Sequence, residues 1–399
     1  TDDSFARAKS DTDQLQALIA YICSEAVKNG ISKPASPWKP ELPEKISLGA
    51  MLTESTFDGN RWGETSDGLS TPIGIYDIPS KQEQDIQYID LAEEGHLGIY
   101  GTSGTGKTTL LKTIICSYCL NYSPADVNIY ILDCGGWSMG RLLCLPHVGG
   151  VALDSEEEKF EKFPKMISDE LSRRKSLFAR NSVGTLTAYR KNVADDIPAI
   201  IIAIDNIVPM FDLYPDMEPF LVTLAREGAS FGIYLIYTAN STSGVRYKVQ
   251  QNIKNAIAFE LTDKGDYSTL VGKIEGLPLP HNPGRAFFKG NPPVTFQSAL
   301  YSSGSTEAEM NASLLEIAKT MSEKWNGPLP RPIPVMPDTV TADSLKNEYN
   351  NRYLIPVGID NTSLVTAFAD MTDNYCMLIT GTIGSGKSKM LSAISKMTA

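Results

Sequence analysis

The chain has 399 residues, 42% of them hydrophobic and 21% charged, a globular composition long enough for two or three domains of roughly 150 residues each. Its formal net charge of −11 and pI near 4.9 leave little basic surface for a phosphate backbone, which argues against nucleic acid as the main partner. Three histidines and six scattered cysteines, with a lone C-x-x-C at Cys116–Cys119, give no zinc-finger spacing and read as reduced, buried thiols of a cytosolic protein.

No apolar run approaches the ~18 residues of a membrane span, and the N-terminus does not resemble a signal peptide. A soluble, cytoplasmic fragment is therefore expected. In chain order, "DQLQALIAYICSEAV" from Asp13 reads as a helix leading into a Pro-rich stretch that ends "PELPEKISL". Residues 1–70 are thus a helix and linker. Residues 71–306 alternate strand and helix, the pattern of a mainly parallel sheet under helices. The strand "HLGIY" (96–100) runs into "GTSGTGKT" and then a helix through "TLLKTIICSYCL". "VNIYILD" (127–133) is a second strand. A charged helix follows from Ser155, with Ser155 as its N-cap and acids in the first turn. "AIIIAID" (199–205) is a third strand, apolar throughout as a strand buried on both faces must be. "FLVTLAREGASFG" is a helix, "IYLIYTA" (233–239) a fourth strand and "NAIAFEL" (255–261) a fifth. Residues 276–296 are rich in Pro and Gly and read as a hairpin or loop region.

The unit then begins again. "GTIGSGKS" from Gly381 repeats the pattern of "GTSGTGKT" from Gly101, and each follows a short apolar strand, "CMLIT" (376–380) in the second case. "LIPVGIDNTSLVTAFADMTDNY" (354–375) parallels residues 71–96, and "NASLLEIAKTMSEKW" parallels the first helix, a recurrence after about 280 to 295 residues. Residues 307–353 read as a helix and Pro-rich interdomain linker, and 354–399 as the front of a second copy. The last ~70 residues are too few to bury a sheet of this kind alone. The expectation is a piece of a tandem array.

Both repeats fit the phosphate-loop pattern G-x-x-x-x-G-K-[ST]. Gly101, Gly104 and Gly106, with Thr102, Ser103 and Thr105 between them, let the backbone wrap a phosphate with its N–H groups inward. The helix beginning there adds its positive end. Lys107 supplies a point charge for the β- and γ-phosphates, the Thr108 hydroxyl is a Mg²⁺ ligand, and Thr109 continues the first helical turn. Gly381, Thr382, Ile383, Gly384, Ser385, Gly386, Lys387 and Ser388 form the second candidate loop. The cofactors implied are ATP and Mg²⁺. Asp205, closing the third strand, is the expected metal anchor; the plain alternative is a strand-ending aspartate that caps a turn. Asn206 stands where a motor would carry a glutamate. An amide hydrogen-bonds water but does not take its proton, and losing a general base costs ~10²–10⁴ in rate. Lys107, Asp205 and Asn206 are the candidate catalytic set. Thr238 and Asn240, ending the fourth strand, either sense the γ-phosphate or are simple strand-end polarity.

The chain resembles the FtsK/SpoIIIE branch of ring-forming ATPases, and within it the tandem ATPase domains of EssC/EccC-type type VII secretion proteins. The carriers are "PIGI" at Pro72, "HLGIYGTSGTGKTTLL", "LPHVGGVALDSEEEKFEKFPKMISDELSRRKSLF", "IPAIIIAIDN" and "AREGASFGIYLIYTANS". The resemblance covers nearly the whole chain. It implies a RecA-like P-loop NTPase domain followed by the incomplete front of another, in the position of a second and third ATPase domain. It implies other ATPase domains of the same polypeptide as partners, a homo-hexamer, a membrane-anchored parent, and export of WXG100-type substrates. DNA-pumping relatives carry "TQRP" where this chain has "TANS", and an arginine where it has Ala229. With Asn206, these departures favour an ATP-holding domain over a fast motor or a DNA translocase. A competent ring ATPase would need a group from a neighbour. Arg226, Arg246 and the Arg173–Arg174 pair are the candidates, and a solvated helix face is the expectation for Arg173 and Arg174.

Overall fold

Strands that are apolar on every residue are stable only where both faces of a sheet are covered, and the structure is built around that requirement. A computed structural model of the chain describes residues 13–31, 39–52, 56–63, 68–193, 197–274, 277, 281–341, 345, 351, 353–361, 364–373 and 376–398. Residues 32–38 of the first Pro-rich stretch and most of 342–350 of the second linker lie outside these. The chain divides into two compact units, Thr1–Glu41 with Pro79–Glu83, and Leu42–Ile78 with Gln84–Ala399. The first contains the helix Gln14–Lys28, opened by a capping box between Asp13 and Gln16.

The strands, in chain order, are β1 (Ile46–Ser47), β2 (Ser70–Ile78), β3 (Glu83–Asp90), β4 (Leu97–Tyr100), β5 (Val127–Asp133), β6 (Val148–Leu153), β7 (Ala199–Asp205), β8 (Ile233–Ala239), β9 (Asn255–Ala258), β10 (Arg285–Phe288) and β11 (Val294–Leu300). Among the described residues these eleven form one sheet in the order β3-β2-β11-β10-β9-β4-β8-β7-β5-β6, with β1 beside β11. From β9 to β6 every pairing is parallel, and β10, β11 and β2 extend the sheet antiparallel. The expected mainly parallel α/β sheet is present, and the Pro/Gly-rich region holds the turn of a β10–β11 hairpin.

The alternation of side chains along each strand explains the unbroken apolar runs. Ile201 and Ala203 of β7 join Ile129, Ile131, Ile99 and Ile236 in a core under the helix Lys107–Asn121. Ile200, Ile202 and Ile204 join Leu132, Leu235 and Tyr237 on the other face, under the helices Glu157–Arg180 and Met217–Glu227. Each Ile or Leu side chain among these contributes about 1.5–3 kcal/mol by burial.

Five expectations are corrected. The charged helix starts at Glu157 with Glu156 as N-cap, not Ser155; Glu156 instead turns back to accept from the Leu153 N–H. Strand β6 was not foreseen, because two adjacent glycines depress strand propensity. Gly149 and Gly150 are required there, since a Cβ would run into the Tyr130 ring and into Ile333. Residues 376–380 form no strand. β4 is held between β8 and β9, whereas 376–380 has no flanking strands among the described residues and Leu378 is 86% exposed. Past residue 353 the described residues add a two-stranded sheet, β12 (Leu354–Ile359) and β13 (Thr366–Asp370), and the helix Lys387–Thr398.

The fourth concerns Arg174, whose side chain is 1% exposed while Arg173 is 53% exposed. Arg174 Nε donates to Glu170 Oε1 at 2.7 Å, Nη1 to the Phe231 and Gly232 carbonyls at 2.9 and 3.2 Å, and Nη2 to the Pro198 carbonyl at 2.7 Å. A guanidinium fork thus ties the long helix to the turns that feed β7 and β8. Cys116, Cys119 and Cys134 are buried and free, whereas Cys23 and Cys376 are exposed rather than buried. No described helix is long and apolar enough to cross a membrane. Arg174→Met should lower unfolding stability by about 3–5 kcal/mol, because three carbonyls and a carboxylate lose their donor. Arg173→Met should change it by less than about 0.5 kcal/mol. Urea denaturation separates the two.

Candidate functional site

The parallel strands β4, β5, β7 and β8 all end on one edge of the sheet, where ligands of open α/β folds bind. β4 passes there into the loop 101–106, which is fastened on both sides. The Gly101 N–H donates to the Ala239 carbonyl at 3.2 Å and the Thr102 N–H to the Glu260 carbonyl at 2.8 Å. Gly104 and Gly106 have φ of 81° and 111°, a backbone that L side chains rarely adopt. A Cβ on Gly101 would stand 2.6 Å from the Phe259 Cβ. Ser103, Gly104, Gly106 and the first turn of the helix Lys107–Asn121 therefore line one cleft of about 300 Å³, the placement an anion site requires.

Asp205 is the centre of the cleft. Its carboxylate is buried and takes hydroxyl donors from two elements: Thr108 Oγ at 3.0 Å from each oxygen, and Thr238 Oγ at 2.7 Å from Oδ1. Thr238 in turn accepts from the Asn206 N–H at 2.7 Å. Burial raises the Asp205 pKa above its usual value; hydrogen bonds from Thr238 and Thr108 oppose this, Asp133 adds to it and Lys107 opposes it. Lys107 Nζ donates to the Thr102 carbonyl at 2.7 Å. Burial lowers the Lys107 pKa, with Asp205 pulling the other way. A hydroxyl and a carboxylate side by side are a hard-oxygen donor pair, the chemistry that suits Mg²⁺.

Asn206 has φ 57°, a conformation in which Asn is enriched and Glu is not. Its Nδ2 donates to the Cys134 carbonyl at 3.3 Å. Thr238 and Asn240 both line the cleft, Thr238 through Asp205 and Asn240 as an exposed residue. The four arginines proposed as partners of a site do not line it. Arg226 is paired with Glu227, Arg246 with Glu218 and Asp212, and Arg173 and Arg174 with Glu170. Ala229 lies in the turn Gly228–Phe231.

Two residues were missed. Asp133, fully buried, sits directly across from Asp205 in the β5–β7 register. It accepts the Gly135 N–H at 3.0 Å and the Met139 N–H at 2.9 Å. Gly135 is thereby laid against Asp205, where a Cβ would be 2.2 Å from Oδ2. The sequence carried part of the signal, since "VNIYILD" and "AIIIAID" end in the same acid, but the register that sets the two side by side did not show there. In the second loop, Gly384 and Gly386 have φ of 86° and 90°, and Lys387 Nζ donates to the Gly381 and Thr382 carbonyls at 2.9 and 2.7 Å. That loop, with Ile383, Ser385 and Ser388, lies exposed.

A glycine-formed loop between a parallel strand and a helix, with a carboxylate on a neighbouring strand end, defines a RecA-like P-loop ATPase fold. The chain belongs to the FtsK/SpoIIIE family, whose model matches residues 68–276. It is 30% identical over 99% of its length to the ESX secretion system protein EccC of Geobacillus thermodenitrificans, and 26% identical over 88% to the type VII secretion system protein EssC of Staphylococcus aureus. It covers 26% and 24% of those two proteins, so it spans about a quarter of their length. Among solved structures it is similar to EssC ATPases 2 and 3 from G. thermodenitrificans, with a TM-score of 0.79 and 29% identity over 90% of this chain and 67% of that one. It is also similar to Thermomonospora curvata EccC ATPases 2 and 3 in complex with a signal sequence peptide, with a TM-score of 0.72 and 27% identity over 90% and 67%.

The raised Asp205 pKa sets a sign. A carboxyl whose folded pKa lies above its unfolded value holds its proton more tightly when folded, so its contribution to stability falls as pH rises through that pKa. Asp205→Asn removes the ionised form and should raise the ligand-free melting temperature at pH 8. The gain should shrink toward pH 4. Calorimetric scans at the two pH values check it.

Proposed function

We propose that residues 71–306 form a domain that binds ATP with Mg²⁺ and hydrolyses it slowly, as one ATPase domain of a type VII secretion motor. What carries this reading is the intact Thr108–Asp205–Thr238 network followed by Asn206. Lys107 and the loop N–H groups from Ser103 to Gly106 would hold the phosphates. Thr108 and Asp205 would hold the metal, which when bound neutralises phosphate charge. Asn206 orients a water without accepting its proton. Asn240 faces the same cleft.

The similarity to EccC and EssC supports the secretion role, and the complex of T. curvata EccC with a signal sequence peptide supports contact with a peptide signal, which in this reading belongs to WXG100-type substrates. Residues 1–70 would lead into this domain, 307–353 link it onward, and 354–399 begin the next, with Gly381–Ser388 as its loop. Its partners would be sister ATPase domains of the same polypeptide, in a homo-hexamer anchored to the membrane elsewhere in the parent. Duplex DNA is not among them. A second reading, a competent ring ATPase, draws support from Arg226 and Arg246 standing near the surface, Arg226 paired with Glu227 and Arg246 with Asp212 and Glu218 beside the Phe211 ring.

Calorimetry with and without Mg²⁺, beside steady-state phosphate release, tests the proposal. Expected are Mg²⁺-dependent ATP binding lost in Lys107→Ala, and turnover ~10²–10⁴ below that of a glutamate-bearing motor domain. Robust turnover abolished by Lys107→Ala overturns the ATP-holding reading in favour of the ring ATPase.

A further inference from the structure

The turn that follows β5, from Cys134 to Met139, touches Asp205 and Asn206 at once. The Cys134 N–H donates to the Asp205 carbonyl at 3.0 Å, and the Cys134 carbonyl accepts from Asn206 Nδ2 at 3.3 Å. We propose that this turn, closed by the Asp133 carboxylate, is a positioning element for Asn206. It holds an amide at that place by its nitrogen, so that a glutamate put at 206 does not make the domain a fast motor. The proposal rests on the ATP-binding reading above and adds what fixes its water-orienting group.

A backbone carbonyl oxygen accepts hydrogen bonds and donates none, so the side chain that meets the Cys134 carbonyl must bring a donor. The Asn206 amide brings one, and an ionised carboxylate has none. With Nδ2 engaged there, Oδ1 is the polar atom that Asn206 has left for the cleft it lines. An amide oxygen accepts an O–H from a water as a carboxylate does, but leaves the proton where it is. A glutamate would also add a third acid beside Asp205 and Asp133, which already lie across from one another in the β5–β7 register, and like charges so placed disfavour ionisation. The backbone agrees with the side chain. Asn206 has φ 57° and its N–H is held by Thr238 Oγ at 2.7 Å, a conformation that Asn adopts far more readily than Glu.

The turn has little room to yield. Asp133 takes the Gly135 N–H on Oδ1 at 3.0 Å and the Met139 N–H on Oδ2 at 2.9 Å, and Met139 is fully buried. Between these ties Gly136 and Trp137 have φ of 112° and 64°. A bulky L residue keeps the second of these only where its surroundings enforce it. Burial does not enforce it, because Trp137 is 61% exposed; its indole N–H instead donates to Asp154 Oδ1 at 2.9 Å. Gly135 is confined between the two residues that end β7 and follow it. A Cβ there would stand 2.2 Å from Asp205 Oδ2 and 3.6 Å from the Asn206 Cβ. The Cys134 carbonyl is therefore fixed in place, and the side chain at 206 must suit it.

Asp and Ala at position 206 separate the side-chain anchor from the backbone. Asp tolerates a positive φ better than Ala, so backbone preference alone makes Asn206→Asp the more stable of the two. The anchor reverses that order, because Asn206→Asp sets oxygen against oxygen at Cys134. Calorimetric scans of the ligand-free whole chain at neutral pH should therefore rank the melting temperatures wild type, then Asn206→Ala, then Asn206→Asp. Mg²⁺–ATP affinity by titration and single-turnover phosphate release are measured beside them. Asn206→Glu at saturating Mg²⁺–ATP should turn over no faster than wild type. Asp133→Asn, which faces one of the two N–H groups with a donor, should slow turnover about tenfold while affinity stays within about threefold, and the retained affinity shows that it is folded. A gain of ~10²–10⁴ in turnover for Asn206→Glu, or Asn206→Asp melting above Asn206→Ala, overturns the positioning role and leaves ATP binding standing. If wild type does not bind Mg²⁺–ATP, the ATP-binding reading falls and takes this role with it.

Discussion

A carboxylate at the end of a fully buried strand is costly to ionise and must be compensated. In this chain Asp205 closes β7, which lies between β5 and β8 deep in the sheet. Its compensation comes from the Thr108 hydroxyl on the helix after the loop and from the Thr238 hydroxyl on β8. On its third side the close approach of Gly135 is possible only without a side chain. Each partner belongs to a different element, so one charged group sets the relative placement of loop, helix, β8 and the turn after β5. The same compensation leaves two oxygen donors side by side, which is why one arrangement serves both the fold and a metal–phosphate ligand.

The parallel core was legible because its strands are long, apolar and short of Gly and Pro. "VNIYILD", "AIIIAID" and "IYLIYTA" coincide with β5, β7 and β8. β6 was hidden because "VGGVAL" is shaped by what packs on it, the Tyr130 ring and Ile333, and no local propensity records that. Arg174 reads as a surface residue in a run of charges, yet the rotation of about 100° between adjacent helical residues puts it inward while Arg173 points out. At the site, residue types identified Lys107, Thr108 and Asp205, and the hydroxyl of Thr238 was weighed. The role of Asp133 depends on strand register and that of Gly135 on an approach distance, neither of which one sequence spells out.

The two phosphate loops carry the same pattern with different outcomes. Gly101–Thr108 follows a strand clamped by β8 and β9, sits on Gly284, and meets a carboxylate. Gly381–Ser388 has the same positive-φ glycines and the same lysine turned onto its own carbonyls, but it is exposed on every side. A phosphate loop encodes its own backbone shape. The walls that make it a binding site are supplied by segments far away in sequence.

The way β1 and β2 are paired has a consequence for how the protein is made. Both lie against β11, and Gln297 reaches back to Glu44 across 253 residues. On a ribosome the segment from Leu42 to Ile78 emerges early and waits for its partner until the domain is almost complete. Pairings at such separation form slowly, and they leave an apolar strand edge open in the meantime. The parallel strands β4 to β9 are synthesised in one continuous stretch and can assemble before it. The wall beside the phosphate loop, built from Glu44 and the β10–β11 hairpin, is therefore the last part of the cleft's surroundings to come into existence in a newly made chain.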